Sequence, residues 1–228
     1  MNQEFQTLFD YAKRLRHRYL QTLAAFSIFE RFRELAAPNR VGEKRAEKSV
    51  KTFNNFRYFF LTIKESARCH SLIELAKFFD PHKKSLTLYQ VLNYAEKNIS
   101  KLTKQDFLTY HKDRKILPEL FARYKQLSLA DLRKIKKRLN RNEVLIKKLI
   151  VYRNTYLAHD DIEEIKVKTS AREIRVLLNI VKSFIGLLFN KLDFSVISYI
   201  NFEKQPVKDL DTVIENLIGD KKKRNQKT

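Results

Sequence analysis

Glycine is scarce: the chain has 3 in 228 residues, where ordinary usage of roughly 7% would give about 16. That scarcity excludes phosphate cradles and dinucleotide-binding turns built on clustered glycines. With only 4 prolines as well, an all-β fold with many tight turns is excluded too. A single cysteine, Cys69, can form no internal disulfide and no cysteine-based zinc site by itself. No apolar run of about 18 residues occurs, so no transmembrane helix is expected. The first residues, MNQEFQTLFD, do not read as a secretory signal. A cytoplasmic chain with no membrane association is the expectation. Negative charge is also short: Asp plus Glu is 26 against 47 Lys plus Arg, a net charge of +21. An excess of that size points to an anionic partner, nucleic acid before a membrane surface.

What is abundant is apolar. Hydrophobic residues make up 43%, with 17 Phe and 10 Tyr, enough for a core and unlike a disordered polycation. The apolar period is helical almost throughout. Phe5, Leu8, Ala12, Leu15, Tyr19, Phe26 and Phe29 recur in steps of three and four, with Thr22 the polar interruption, predicting a long helix that ends near Pro38, with Gly42 as the turn. A second stripe runs Phe53, Phe56, Phe60, Ile63, Ala67, His70, which reads His70 as a core residue. It stops before Asp80-Pro81, because a residue preceding proline disfavours helix. Ser85 is expected to cap the segment holding Leu88, Val91, Leu92 and Ala95. Thr103-x-x-Asp106, Ser128-x-x-Asp131 and Ser170-x-x-Glu173 read as capping boxes or variants of them. The second opens one long helix with Leu132, Ile135, Leu139, Ile146, Leu149 and Ile150 on its apolar face. The third opens Ile174, Leu177, Val181, Phe184 and Leu188. Residues 194–202 are ambiguous between helix and strand. A last helix follows Pro206 and is expected to stop at Gly219. No repeat, linker or composition break is visible. The reading is one all-α domain over residues 1–219, an antiparallel helical bundle, with a basic, loose tail at 220–228.

Residues 151–161, VYRNTYLAHDD, carry the chemistry. On a wheel of about 100° per residue starting at Leu132, Arg153 falls near the angle of Ile135 and Ile146. It thus continues the apolar stripe. A guanidinium on a core-facing stripe needs a carboxylate, a carbonyl or a bound anion. His159 falls roughly 120° away and does not meet Arg153 within one regular helix. Either the helix ends near Ala158 and swings the imidazole inward, or the pair meets its copy across a dimer. A histidine in a last helical turn also feels the negative end of the dipole, which favours its protonated form.

Arg153 and Asn154, with His159 six residues after the arginine, resemble the signature of the HEPN superfamily. Residues 59–98 resemble its abortive-infection U-type branch, in which a helix closes on a Leu-x-x-Phe-Asp-like step followed by a basic turn and another helix. The resemblance spans roughly residues 50–190. It implies a bundle of four or more helices, a homodimer, and in many members metal-independent RNA cleavage with no cofactor. Some members are toxins silenced by an antitoxin or inhibitor protein, and some only bind.

The residue types agree with that chemistry. RNA cleavage without a metal needs a base for the 2′-hydroxyl, an acid for the leaving 5′-oxygen and a cation on the phosphate. Arg153 fits the phosphate clamp, because its fork holds two oxygens. His159 fits the acid or base, and Asn154 an orienting contact. One histidine serves both ends of an in-line displacement poorly, so a symmetric dimer supplying two has a physical rationale. Arg133, Lys137 and Arg141 lie on an arc opposite Leu132 and Leu139, either a solvated face or a phosphate track. Tyr156 reads as packing or as a base-stacking platform. No metal-ligand spacing appears. Two function classes stay open: a ribonuclease, and a non-catalytic helical protein binding RNA, a nucleotide or a partner protein.

Overall fold

The computed structural model describes residues 2–82, 85–112, 121–122, 124–157 and 169–224. Among them the regular structure is entirely helical, as the apolar period requires. In chain order the helices are α1 (Gln3–Leu35), α2 (Pro38–Val41), α3 (Glu43–Asn55), α4 (Arg57–Phe78), α5 (Leu88–Lys97), α6 (Lys104–Tyr110), α7 (Leu129–Arg141), α8 (Glu143–Tyr152), α9 (Ala171–Leu192) and α10 (Ile200–Arg224). A π turn, Arg153–Leu157, follows α8 directly. Although the sequence offers no composition break, the chain divides into two compact units. One comprises Met1–Tyr19 and Ile73–Ser198, the other Leu20–Leu72 and Tyr199–Thr228.

The first unit is built on the start of α1, the end of α4, and α5 to α9. Its core takes Phe5, Leu8, Ala12, Leu15 and Tyr19 from α1, Leu88, Val91, Leu92 and Ala95 from α5, and Leu132, Ile135 and Leu139 from α7. The largest share comes from α9, whose buried side chains run from Ile174 to Leu192. Burying each Leu or Phe contributes about 1.5–3 kcal/mol. The expected capping boxes form: Thr103, Ser128 and Ser170 each accept from the amide three residues on, and Asp106, Asp131 and Glu173 reach back. The far end of α9 is closed from outside. The phenol of Tyr124 donates to the Lys191 carbonyl at 2.7 Å, and His111 Nε2 donates to the Leu192 carbonyl at 2.8 Å. These are carbonyls a helix terminus leaves without an internal partner. Burial pushes the Tyr124 hydroxyl up to about 12.

The second unit packs Phe32, Leu35, Phe60 and Ile214 together, with Ile28, Phe53, Ile63 and Leu210 against them. Arg31 fixes α10 through two bonds to the Asp211 carboxylate, at 2.9 and 2.8 Å. Gly42 sits at φ 82° between α2 and α3, a backbone that disfavours a side chain.

Several expectations are corrected. The helix expected from Ser128 as one piece breaks at Asn142, whose backbone leaves helical geometry while its amide donates to the Arg138 carbonyl at 2.8 Å. Such a side-chain bond competes with the helical ladder. The stripe from Phe53 to His70 likewise breaks at Phe56. In α4 the buried positions include Phe60, Ala67, Ser71, Leu75 and Phe78, which leaves His70 exposed and outside the core. The cap of α5 is Thr87, accepting from the Gln90 amide, and Ser85 lies outside the helix. Helix α10 starts before Pro206 and runs through Gly219 to Arg224. The ambiguous stretch 194–202 forms no strand; Phe194 takes φ 51° there. Pro118 and residues 225–228 lie outside the described residues.

Two substitutions measure these devices. Ser128→Ala is expected to cost about 1 kcal/mol as a lost N-cap. Phe184→Ala, emptying the centre of α9, is expected to cost about 3–5 kcal/mol. Urea unfolding reads both.

Candidate functional site

The site grows from two chain segments 73 residues apart. On one side, α8 buries Ile146, Leu149 and Tyr152 and passes into the π turn that begins at Arg153. Hydrogen bonds to the fifth residue back widen a π turn, and such turns are frequent at functional sites. The 100° wheel therefore does not extend past Arg153, and it was already interrupted at Asn142. On the other side, α4 ends at Phe78, and Phe79 and Asp80 are buried behind it. Asp80 Oδ1 accepts the His82 amide at 2.9 Å, an Asx turn that fixes the carboxylate in one orientation. Two carbonyls of that connection accept side-chain hydrogen bonds as well. Arg18 donates to the Leu86 carbonyl at 3.0 Å, and Gln90 to the His82 carbonyl at 3.2 Å.

The two segments meet in an ion pair. Arg153 Nη1 donates to Asp80 Oδ2 at 2.7 Å, with side-chain exposures of 18% and 11%. The arginine on the apolar stripe thus has a carboxylate partner. Its Nε donates to Asn154 Oδ1 at 2.9 Å, so the guanidinium is held on two edges. Nη2 makes no hydrogen bond to a described residue. Burial alone raises the Asp80 carboxyl. The hydrogen bonds from Arg153 and from the His82 amide outweigh that effect and hold it below the ordinary carboxylate value. Asp80 is therefore ionised near neutral pH, an acceptor and an orienting charge, with no proton to give.

The ends flanking residues 158–168 are also pinned. Lys148 of α8 donates to Glu173 of α9 at 2.6 Å, and Glu173 accepts the Ser170 amide at 2.6 Å. His159, the expected acid or base, lies outside the described residues. Tyr156 belongs to the π turn by its backbone. Asn154 is exposed beside Arg153.

The basic arc is placed on a different helix from Arg153. Arg133, Lys137 and Arg141 are exposed on α7, beyond the break at Asn142, so a continuous helical track to Arg153 is not formed. Lys136, from the same run, is paired to Glu96 at 2.5 Å. Among the described residues no three His, Cys, Asp or Glu side chains gather as a metal site, and no helix is long and apolar enough to cross a membrane. In the sequence, Asp80 before Pro81 reads as a helix stop. The signal that marks it is the acidic residue of the Leu-x-x-Phe-Asp-like step, the same stretch that carried the second resemblance.

Replacing Asp80 tests the pair. Asp80→Asn keeps an acceptor for the His82 amide and removes the charge, and is expected to cost about 1–3 kcal/mol in urea unfolding. Because the folded carboxyl titrates below its ordinary value of 3.8, the stabilisation is complete above that value and is lost as pH falls through the lowered one. The gap between wild type and Asp80→Asn should stay constant from pH 5 to 8 and narrow below about pH 3.8.

Comparison with known families places this geometry in context. The family model described as AbiU2, a HEPN family, matches residues 5–213. No curated protein and no solved structure matches the chain.

Proposed function

From the premise that this chain belongs to the AbiU2 family of HEPN proteins, we propose that it is a metal-independent endoribonuclease. In this reading it acts in the cytoplasm as an abortive-infection effector or toxin. The observation that carries the proposal is the state of Arg153. It is half-buried, fixed by Asp80 and Asn154, makes no Nη2 hydrogen bond to a described residue, and stands six residues before His159. A fixed guanidinium stabilises charge developing on a phosphate without first having to reorganise.

The reaction uses these groups as follows. His159 takes the proton of the ribose 2′-hydroxyl, and that oxygen attacks the adjacent phosphorus. The bond from phosphorus to the 5′-oxygen breaks, and a second acid supplies that oxygen with a proton. The products are a 2′,3′-cyclic phosphate and a free 5′-hydroxyl. Arg153 holds the non-bridging oxygens through Nη2, and Asp80 keeps the guanidinium pointed while staying ionised. A homodimer supplies the second His159, one as base and the other as acid. Exposed Arg133, Lys137 and Arg141 collect the RNA backbone by charge, which raises affinity without choosing a sequence. An inhibitor protein covering the site would silence the activity.

A second reading has its own support: Asp80 neutralises much of the charge Arg153 would offer a phosphate. A HEPN protein that binds RNA, a nucleotide or a partner without cutting it would look like this.

Cleavage of labelled RNA by the pure protein in chelator separates the two. The ribonuclease reading expects Arg153→Ala to slow cleavage about 10²–10³-fold and His159→Ala about 10²–10⁴-fold, with cyclic phosphate ends on the wild-type product. Undiminished cleavage by His159→Ala overturns it. Wild-type protein that binds the RNA and leaves it whole supports the second reading. Reversing Arg133, Lys137 and Arg141 to Glu should weaken RNA affinity and flatten its salt dependence, with the cleavage rate at saturation unchanged.

A further inference from the structure

The second unit carries a surface that the Arg153 site does not use. Where α3 turns into α4, a cavity of about 250 Å³ opens. Its floor is aromatic: the Phe53 and Phe60 rings lie 5.1 Å apart at 62°, and Phe32 packs against both at 5.4 and 5.9 Å. Its rim is polar and cationic, with Asn54, Arg57 and Lys64 among the lining residues. Arg57, Leu61 and Lys64 recur at helical spacing, so one face of α4 carries both cations at the cavity. Tyr58, beside Arg57, is 86% exposed. Nothing in core packing calls for a bare phenol ring there.

Local charge settles what such a surface would attract. Residues 40–68 contain eight Lys or Arg against three Glu. One of those, Glu65, is already paired to Arg68 at 2.6 Å. Neither Arg57 nor Lys64 makes an ion pair to a described residue. The volume lies below the range of about 300–1,000 Å³ typical of drug-sized ligands, which suits one flat ring system. An acidic peptide would satisfy the cations and leave the ring floor uncovered. An apolar helix would cover the rings and bury the cations without partners, which is costly. A single-stranded nucleic acid satisfies both, since every base has a π-face to stack and every linkage a phosphate.

We infer that the α3–α4 elbow is a single-stranded RNA contact. One base sits in the cavity against the half-buried Phe53 ring, the flanking phosphates lie against Arg57 and Lys64, and the neighbouring base stacks on Tyr58. The inference deepens the proposed function, because it adds an RNA-holding surface to a chain read as a ribonuclease. It does not depend on cleavage.

The test measures binding of fluorescein-labelled oligoadenylate and of an abasic oligomer of equal length, by anisotropy, in the Arg153→Ala protein. Tyr58→Ala should weaken oligoadenylate about fivefold or more, leave the abasic oligomer unchanged, and be rescued by Tyr58→Phe. Arg57→Gln with Lys64→Gln should weaken both ligands and reduce the salt slope by about one to two. All three positions sit at the surface, and an unchanged urea midpoint certifies the fold. Equal affinity of wild type and Tyr58→Ala for oligoadenylate overturns the inference. So does loss of self-association by Tyr58→Ala in light scattering with RNA affinity intact, which would make this face a protein contact. Failure of His159→Ala to slow cleavage overturns only the catalytic reading, because the binding assay runs in a protein already lacking Arg153.

Discussion

A cation set on an apolar stripe cannot be left alone, and the first unit is organised around supplying its partner. Arg153 arrives at the end of α8 because Ile146, Leu149 and Tyr152 anchor that helix in the core. Asp80 arrives because the close of α4 is buried and its turn is tied by Arg18, Gln90 and its own side chain. Removing one member of such a pair exposes the other to the cost of an uncompensated charge. The pair therefore holds two distant chain segments in register, and together with Asn154 it fixes two edges of the guanidinium. Structural and chemical roles coincide in one contact.

The excess of positive charge divides into parts with different roles. Some of it is internal fastening: Arg31 to Asp211, Lys136 to Glu96 and Lys148 to Glu173 join elements, and their charge is matched locally. Another part is exposed on α7, where it adds long-range attraction. A third part, Arg57 and Lys64, lines a cavity that also has aromatic walls. Net charge by itself distinguishes none of these. Position relative to carboxylates and rings does.

Local signals carried most of what the sequence said correctly. A capping box is complete within four residues, so Thr103, Ser128 and Ser170 declared their helices without help from the fold. Stripes such as Phe5 to Tyr19 and Ile174 to Leu188 were legible because helix geometry alone sets their period. What depended on distant partners was not. The breaks at Asn142 and Phe56 fall inside stripes whose apolar spacing continues across them, so periodicity reads straight through. His70 kept step with a stripe that α4 buries at Phe60 and Ala67, but the next buried position falls on Ser71. Thr87 took the cap expected of Ser85 because the turn after Asp80 delays the helix. At the site, the need of Arg153 for a partner was visible, and the identity of that partner was not. Asp80 is distant in sequence, and only the folded chain brings it to Arg153.

The π turn has a consequence in terms of insertions and deletions. A turn closed by the fifth residue back holds one residue more than an α-helical turn would need. Losing one residue from 155–157 would restore the α-helical count and turn the direction in which the chain leaves Leu157 by about 100°. The buried side chains of α8 and α9 would be untouched, and the fold would survive. The histidine-bearing segment would leave on a new heading. Chain length at that turn is therefore a steering variable independent of stability, and members differing by a single residue there would share a core while aiming their chemistry differently.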